Sequence, residues 1–172
     1  MKLEKKFLVL ATVASVVVAL DQLTKLYIHA SWGLGESVPV IRDIFHITYV
    51  RNTGAAFGIF REVGETFRTL FFMSMPPIAM VIILAMLRNV ENSDRWQVFS
   101  LSMIFGGAIG NYIDRLRFGY VIDFLDFHYK DKWSYPAFNI ADSAIVSGVC
   151  LLLILMSARD YAAKRARKAQ KA

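Results

Sequence analysis

Two aspartates, Asp123 and Asp142, stand in segments that are otherwise strongly apolar. Asp123 lies within the run VIDFLDF, and Asp142 follows FNIA. Burial raises the pKa of a carboxyl group, and two carboxyl groups within hydrogen-bond reach cannot easily both ionise, so they share one proton. One can then take a proton from water as a general base while the other donates to a carbonyl oxygen. If the fold brings them together, the pair predicts hydrolysis of a peptide bond without a metal.

The chain offers no better nucleophile and no ready metal site. Cys150, the one cysteine, lies in an apolar stretch with no His near it in the sequence. This setting predicts a small buried hydrophobe that takes no part in chemistry. The three His are scattered without an H-x-x-x-H pair, and no G-x-S-x-G element is present. We therefore expect neither a metal nor a cofactor.

Further polar side chains fall close to the aspartates in the sequence. Asn139 precedes Asp142 by three residues, which places both on one face of a predicted helix. Asn111 and Arg115 are four residues apart at the end of another apolar stretch, with Asp114 beside them. Polar groups inside a membrane segment are costly, so each indicates either a functional site or hydrogen bonding between helices.

Two more pairs of residues stand out nearer the N-terminus. Asp21 and Lys25 occupy positions i and i+4, which predicts an ion pair within one helix, with the Lys side chain extending to the membrane interface. Asn52 and Gly54 follow a predicted strand, Ile44–Arg51, that is rich in β-branched and aromatic residues. Glycine lets a backbone approach another group closely. Contact with an extended peptide or a lipid headgroup and a simple turn are both compatible with this stretch.

Long apolar stretches must position these side chains. A membrane-spanning helix needs about 20 mainly apolar residues, and hydrophobic residues make up 56% of the 172-residue chain. Buried helices of a soluble protein are the alternative, but such stretches leave almost no polar face. We predict an all-α membrane protein in one polytopic domain, with spans at about 7–28, 69–87, 96–113 and 137–158.

The distribution of Lys and Arg predicts the orientation of these spans. Basic residues are concentrated before the first span, between the second and third, and in the tail 159–172. Both termini are therefore predicted to be cytoplasmic, with loops at about 29–68 and 114–136 outside. The basic tail fits contact with anionic lipid, whereas no nucleic-acid-binding motif accompanies its charges.

Five motifs occur in a fixed order along the chain: DQLTK, NTGAAF, GGAIGNYIDR, VIDF and FNIADS. With them, the sequence resembles the bacterial lipoprotein signal peptidase family, also called signal peptidase II. The resemblance runs from about Asp21 to Ser147, and the length and four-span layout agree across the whole chain. It implies a four-helix membrane bundle with a small periplasmic β-structure that cradles the substrate.

The resemblance also implies the activity and the site. The expected reaction is aspartic endopeptidase cleavage of prolipoproteins immediately before a diacylglyceryl-modified Cys. Asp123 and Asp142 match the catalytic pair, and their division of roles stays open. The substrate-binding or site-supporting residues are expected to be Asn52, Gly54, Asn111, Arg115, Asn139, Asp21 and Lys25. We expect a monomer in the bacterial inner membrane, with its active site near the periplasmic face and with prolipoproteins and membrane lipid as its partners.

Two other functions remain compatible with the polar residues alone. Paired membrane aspartates also suit a proton relay in a small transporter or channel, although both lie at one end of the predicted bundle and no inverted repeat is visible. Asn, Asp and Arg side chains could instead serve only to hold the helices of an assembly subunit together.

Overall fold

The structure is a computed structural model that describes residues 4–54, 64–129 and 133–170. Parts of both predicted loops (55–63 and 130–132) and the last two residues of the tail lie outside the described residues. The elements, in chain order, are α1 (Lys5–Ser31), β1 (Ser37–Ile41), β2 (Phe45–Asn52), α2 (Glu65–Asn89), α3 (Arg95–Phe118), β3 (Val121–Tyr129), β4 (Trp133–Ser134) and α4 (Ile140–Ala169).

Within the described chain, α1, α2 and α4 are long and apolar enough to cross a membrane. Many of their large apolar side chains are exposed, as a lipid-facing surface requires. Helix α3 is less apolar because it contacts all three other helices and buries small and polar residues against them.

Glycines in α3 allow its close approach to two neighbours, because small residues let helix backbones come together. A Cβ on Gly106 would lie 2.9 Å from the Cα of Ala14 in α1. A Cβ on Gly107 would lie 2.4 Å from the carbonyl oxygen of Ala141 in α4. Because these contacts are made with backbone, a larger residue would force the helices apart.

The strands form one antiparallel sheet in the order β1-β2-β3-β4. Strand β2 confirms the strand predicted at Ile44–Arg51. Strand β3 was not predicted, because its first residues are buried on both faces and lack the alternation that marks a half-exposed strand. In the register of β2 with β3, Val50 pairs with Asp123 and Asn52 pairs with Val121.

The two ends of the bundle differ in their packing. Away from the sheet, an apolar cluster joins α1, α2 and α3 through Leu10, Ile83, Leu87, Val90, Val98 and Leu101. We call this the apolar end. At the sheet, a second buried cluster of Ile28, Tyr49, Ile122 and Phe124 fixes β2 and β3 against the end of α1. We call this the sheet end.

Helix α4 differs from its predicted span at both ends. It begins at Ile140 and not near 137, because the backbone of Phe138 exchanges hydrogen bonds with Leu125 of β3. It continues to Ala169, so most of the basic tail is helical and exposed. Arg159 at the start of the tail donates to Gln97 and forms an ion pair with Asp94, the N-cap of α3.

Candidate active site

Asp123 lies in β3 at the sheet end and is 1% exposed. Each of its carboxylate oxygens accepts a hydrogen bond from an amide side chain: Asn139 Nδ2 donates to Oδ1 at 2.7 Å, and Asn52 Nδ2 donates to Oδ2 at 2.9 Å. Burial, together with the nearby charge of Asp142, raises the pKa of Asp123 to about 7. This carboxyl group can therefore hold a proton near neutral pH.

Asp142 lies in the first turn of α4 and forms a capping box with Asn139. The Asn139 side chain accepts from the Asp142 backbone N–H at 2.9 Å, and Asp142 Oδ2 accepts from the Asn139 backbone N–H at 3.2 Å. The prediction that both residues lie on one helical face was wrong, because Asn139 is the N-cap and has an extended backbone. Their side chains nevertheless meet.

Asn139 therefore connects the two aspartates. Its side-chain NH2 group donates to Asp123, and its backbone N–H donates to Asp142. Asn111 of α3 adds a second connection, because its Nδ2 donates to Asp142 Oδ1 at 2.7 Å and its Oδ1 accepts from Asn139 Nδ2 at 3.1 Å. With Asn52 bonded to Asp123, the structure thus brings five predicted site residues into one hydrogen-bonded group, which joins β2, β3, α3 and the start of α4.

A buried ion cluster lies behind this group. Lys25 Nζ contacts Asp21 Oδ2 at 2.9 Å and Asp114 Oδ2 at 3.0 Å, and all three side chains are no more than 1% exposed. The predicted ion pair of Asp21 with Lys25 is confirmed. The prediction that Lys25 extends to the interface was wrong, because Asp114 of α3 and Asn111 supply buried partners for its ammonium group.

Arg115 and Gly54 lie at the edge of the site. Arg115 Nη1 donates to the carbonyl oxygen of Asn111 at 3.1 Å, and its guanidinium interacts electrostatically with both Asp142 and Asp123. It also lies over the ring of Phe72 in α2, 5.6 Å from the centroid. Gly54 has φ +96°, and a Cβ there would lie 2.2 Å from that same ring. The close approach that Gly54 permits is therefore made to α2.

An open cleft of about 400 Å³ borders Asp123. It is lined by residues 50–53 on one side and 134–137 on the other, with Asp123 and Asp126 from β3 between them. An extended peptide in this cleft could bring a backbone carbonyl beside the Asp123 carboxyl group. Within the described residues, no group of three or more His, Cys, Asp or Glu side chains could hold a metal ion.

Asp114 is the one member of the buried ion cluster that was not among the predicted site residues. Asp114 accepts from the backbone N–H of Ile122 at 3.0 Å and from Gln22 Nε2 at 2.9 Å, besides its contact with Lys25. Asp114 follows directly after an apolar stretch, and a charged residue in that place is typical of the end of a membrane-spanning helix. Its position three residues after Asn111 was the available signal. Cys150 was predicted to be buried but is exposed on α4.

Comparisons with known proteins find similar chains of one family. A family model described as signal peptidase (SPase) II matches residues 13–158. The lipoprotein signal peptidase of Syntrophus aciditrophicus (strain SB) is 46% identical over 154 residues, which cover 90% of this chain and 95% of the relative. The protein of the same name from Clostridium tetani (strain Massachusetts / E88) is 41% identical over 143 residues, which cover 83% of this chain and 88% of the relative.

Solved structures give the same result for the fold. A bacterial membrane enzyme determined by the in meso method at 1.9 Å resolution is 34% identical, with a TM-score of 0.74 over 86% of this chain and 91% of that one. A second structure, at 2.3 Å, is 33% identical with the same TM-score and covers 86% of both chains. The matched family model includes every residue of the hydrogen-bonded group and the ion cluster. The chain therefore belongs to the signal peptidase II family.

Proposed function

We propose that this protein is an intramembrane aspartic endopeptidase that removes the signal peptide from diacylglyceryl-modified prolipoproteins. It cuts immediately before the lipid-modified Cys and uses Asp123 and Asp142 with one water. The observation that carries the proposal is the connection of these two carboxyl groups through Asn139 beside an open cleft. Membership of the signal peptidase II family supports the substrate class.

The proposed reaction needs one ionised and one protonated carboxyl group. The carboxylate takes a proton from water as the water oxygen attacks the scissile carbonyl carbon, and the protonated partner donates its proton to the carbonyl oxygen. Collapse of the tetrahedral intermediate breaks the C–N bond, and a proton passes to the leaving nitrogen. The products are a signal peptide with a new carboxyl terminus and a lipoprotein with a free amino group on its lipid-modified Cys. The raised pKa of Asp123 supports such a pair near neutral pH.

The same proposal includes a single polytopic domain in which α3 is a fourth membrane crossing. Helix α3 has 24 residues, which at 1.5 Å per residue give about 36 Å, enough for the hydrocarbon core. The basic residues near both termini and between α2 and α3 support cytoplasmic termini in the bacterial inner membrane. The sheet end and its carboxyl groups then lie near the periplasmic face.

The two alternative functions receive less support from the arrangement. A proton relay needs titratable groups along the membrane depth, whereas Asp21, Asp114, Asp123 and Asp142 belong to the same end of the described bundle. A purely structural network would not need a cleft that reaches one of its carboxyl groups.

The decisive experiment uses the purified protein in detergent with a lipidated prolipoprotein and, as the matched control, the same prolipoprotein without its diacylglyceryl group. Mass spectrometry of the products should show a cut immediately before the modified Cys, and only with the lipidated form. Turnover should be unchanged in EDTA and in the variant Cys150→Ala. Cleavage at another bond, or loss of activity in EDTA that zinc restores, would overturn the proposal.

A further inference from the structure

Three asparagine side chains contact the proposed catalytic pair, and the oxygen of each is held by a separate donor. Asn52 Oδ1 accepts from the backbone N–H of Gly54 at 2.8 Å, and Asn139 Oδ1 accepts from that of Asp142 at 2.9 Å. A side-chain amide has its acceptor and its two donors on opposite sides. With their oxygens held, Asn52 and Asn139 can only direct their NH2 groups at Asp123, as observed.

The third amide, Asn111, is held in a different way. Its Oδ1 accepts from Lys25 Nζ at 2.9 Å, and its Nδ2 donates to Asp142 Oδ1 at 2.7 Å. An ammonium group is a donor only, so a rotated Asn111 would place its NH2 group against another donor. Backbone N–H groups hold the oxygens of the first two amides. The Asn111 oxygen is held instead by side chains: the Lys25 ammonium group at 2.9 Å and the Asn139 NH2 group at 3.1 Å.

The ammonium group of Lys25 is itself fully committed. Its three donors match three acceptors at 2.9–3.0 Å: Asp21 Oδ2, Asp114 Oδ2 and Asn111 Oδ1. Its side chain is 1% exposed. Two of its contacts are made to carboxylates, and the third is made to the Asn111 amide oxygen. The ion cluster therefore joins α1 to α3 and also orients the Asn111 amide.

We infer that Lys25 is a positioning residue for the reaction, acting through Asn111. By fixing the Asn111 amide it keeps an N–H donor directed at Asp142 and so holds that carboxylate in place for its step. Without the ammonium group, only the longer hydrogen bond from Asn139 Nδ2 at 3.1 Å holds Asn111 Oδ1. The amide can then rotate and set Asn111 Oδ1 against Asp142 Oδ1. Two acceptors in contact disfavour the ionised carboxylate. This inference rests on the proposed function.

The test replaces Lys25 by Met, which has a similar length and no donor. We expect kcat to fall by about 10²-fold, as for a misplaced catalytic group, with KM little changed. The acidic limb of the kcat–pH profile should move to higher pH. The matched control is Lys6→Met at the apolar end. Lys6 is also buried, but its Nζ donates to the carbonyl oxygens of Arg88 and Val90. That variant should keep its kcat and pH profile.

A second variant keeps the inference testable if Lys25→Met does not fold. Asn111→Asp retains an oxygen that can accept from Lys25, but it removes the NH2 group that donates a hydrogen bond to Asp142. The kcat of this variant should therefore fall by a similar factor. Normal kcat with an unchanged pH profile in either folded variant overturns the inference and leaves the proposed function standing. Full activity in Asp142→Asn would instead overturn the proposed function.

Discussion

The two ends of the helix bundle are held together by contacts of different kinds. At the apolar end, side chains such as Leu10, Leu87 and Leu101 pack without directional requirements. At the sheet end, hydrogen bonds and ion pairs also join the helices. Each of these contacts needs a donor that points at its acceptor. Nonpolar packing tolerates small shifts, whereas a hydrogen bond weakens steeply when its geometry changes. The apolar end can therefore stabilise the bundle, while the polar contacts at the sheet end hold the carboxyl groups of Asp123 and Asp142 in defined positions.

Every buried polar side-chain atom in the described residues has a hydrogen-bond partner. These hydrogen bonds explain how several charged groups can be buried beside one another, because burying a charge without a partner costs much free energy. They also mean that substitutions in the hydrogen-bonded group and the ion cluster remove specific donors or acceptors, whereas substitutions in the apolar cluster remove only volume. The predictions below test this difference.

The largest effect is expected from substituting the two aspartates. Asp123→Asn and Asp142→Asn should each lower turnover by at least about 10³-fold, because an amide cannot exchange the proton that the reaction moves. Asn preserves the shape, so the thermal unfolding temperature in detergent should change little. The measurement is cleavage of a lipidated prolipoprotein beside a melting curve for each variant. Substantial turnover in either variant would show that its carboxyl group is dispensable.

The apolar end should give the opposite result. Leu101 is 1% exposed and packs between helices, so Leu101→Ala should lower the free energy of unfolding by about 2–5 kcal/mol through loss of burial and a cavity. Turnover per folded molecule should stay unchanged, because no donor or acceptor at the sheet end is altered. Unfolding in detergent and activity below the melting range measure the two quantities. A fall in turnover of the folded protein would show that the ends are coupled.

The sequence predicted the apolar end well and the sheet end in part. Hydrophobic stretches long enough to cross a membrane predicted the helices. The i, i+4 spacing of Asp21 and Lys25 predicted their ion pair. Local spacing cannot show partners from other helices, so Lys25 was predicted to lie at the interface. For the same reason Asp114, although noted beside Asn111 and Arg115, was not predicted as a site residue. The residues of the site were identifiable because charged and amide side chains are rare in apolar segments. Their hydrogen-bond directions depend on the register of β3 and on the start of α4.

A smaller effect is expected when one donor to Asp123 is removed. Asn52→Ala deletes the hydrogen bond to Asp123 Oδ2 and should slow turnover by the equivalent of about 1–3 kcal/mol. The matched control is Ser37→Ala, which removes a hydrogen bond to Thr48 in the same sheet and should leave turnover unchanged. Equal rates for both variants would mean that Asn52 does not support the carboxyl group.

The smallest effect concerns the dependence of stability on pH. The pKa of Asp123 is raised to about 7 in the folded protein, first by burial and then by the charge of Asp142, against about 3.9 in an unfolded chain. Between these values the folded state binds the additional proton, so this group's contribution to stability falls as pH rises from about 4 to about 7. Between pH 6 and 8 the loss should be about 1 kcal/mol.

Comparing variants isolates this contribution from other titrating groups. Asp123→Asn has no proton to lose, so its unfolding free energy should fall less between pH 6 and 8 than that of the unsubstituted protein. Leu101→Ala should be less stable at every pH but show the same pH slope as the unsubstituted protein, because the substitution neither removes nor contacts a titrating group of the site. Equal slopes in all three proteins would mean that Asp123 does not hold its proton in the folded state. The hydrogen bonds from Asn52 and Asn139 would then be made to an Asp123 carboxyl group that is already ionised.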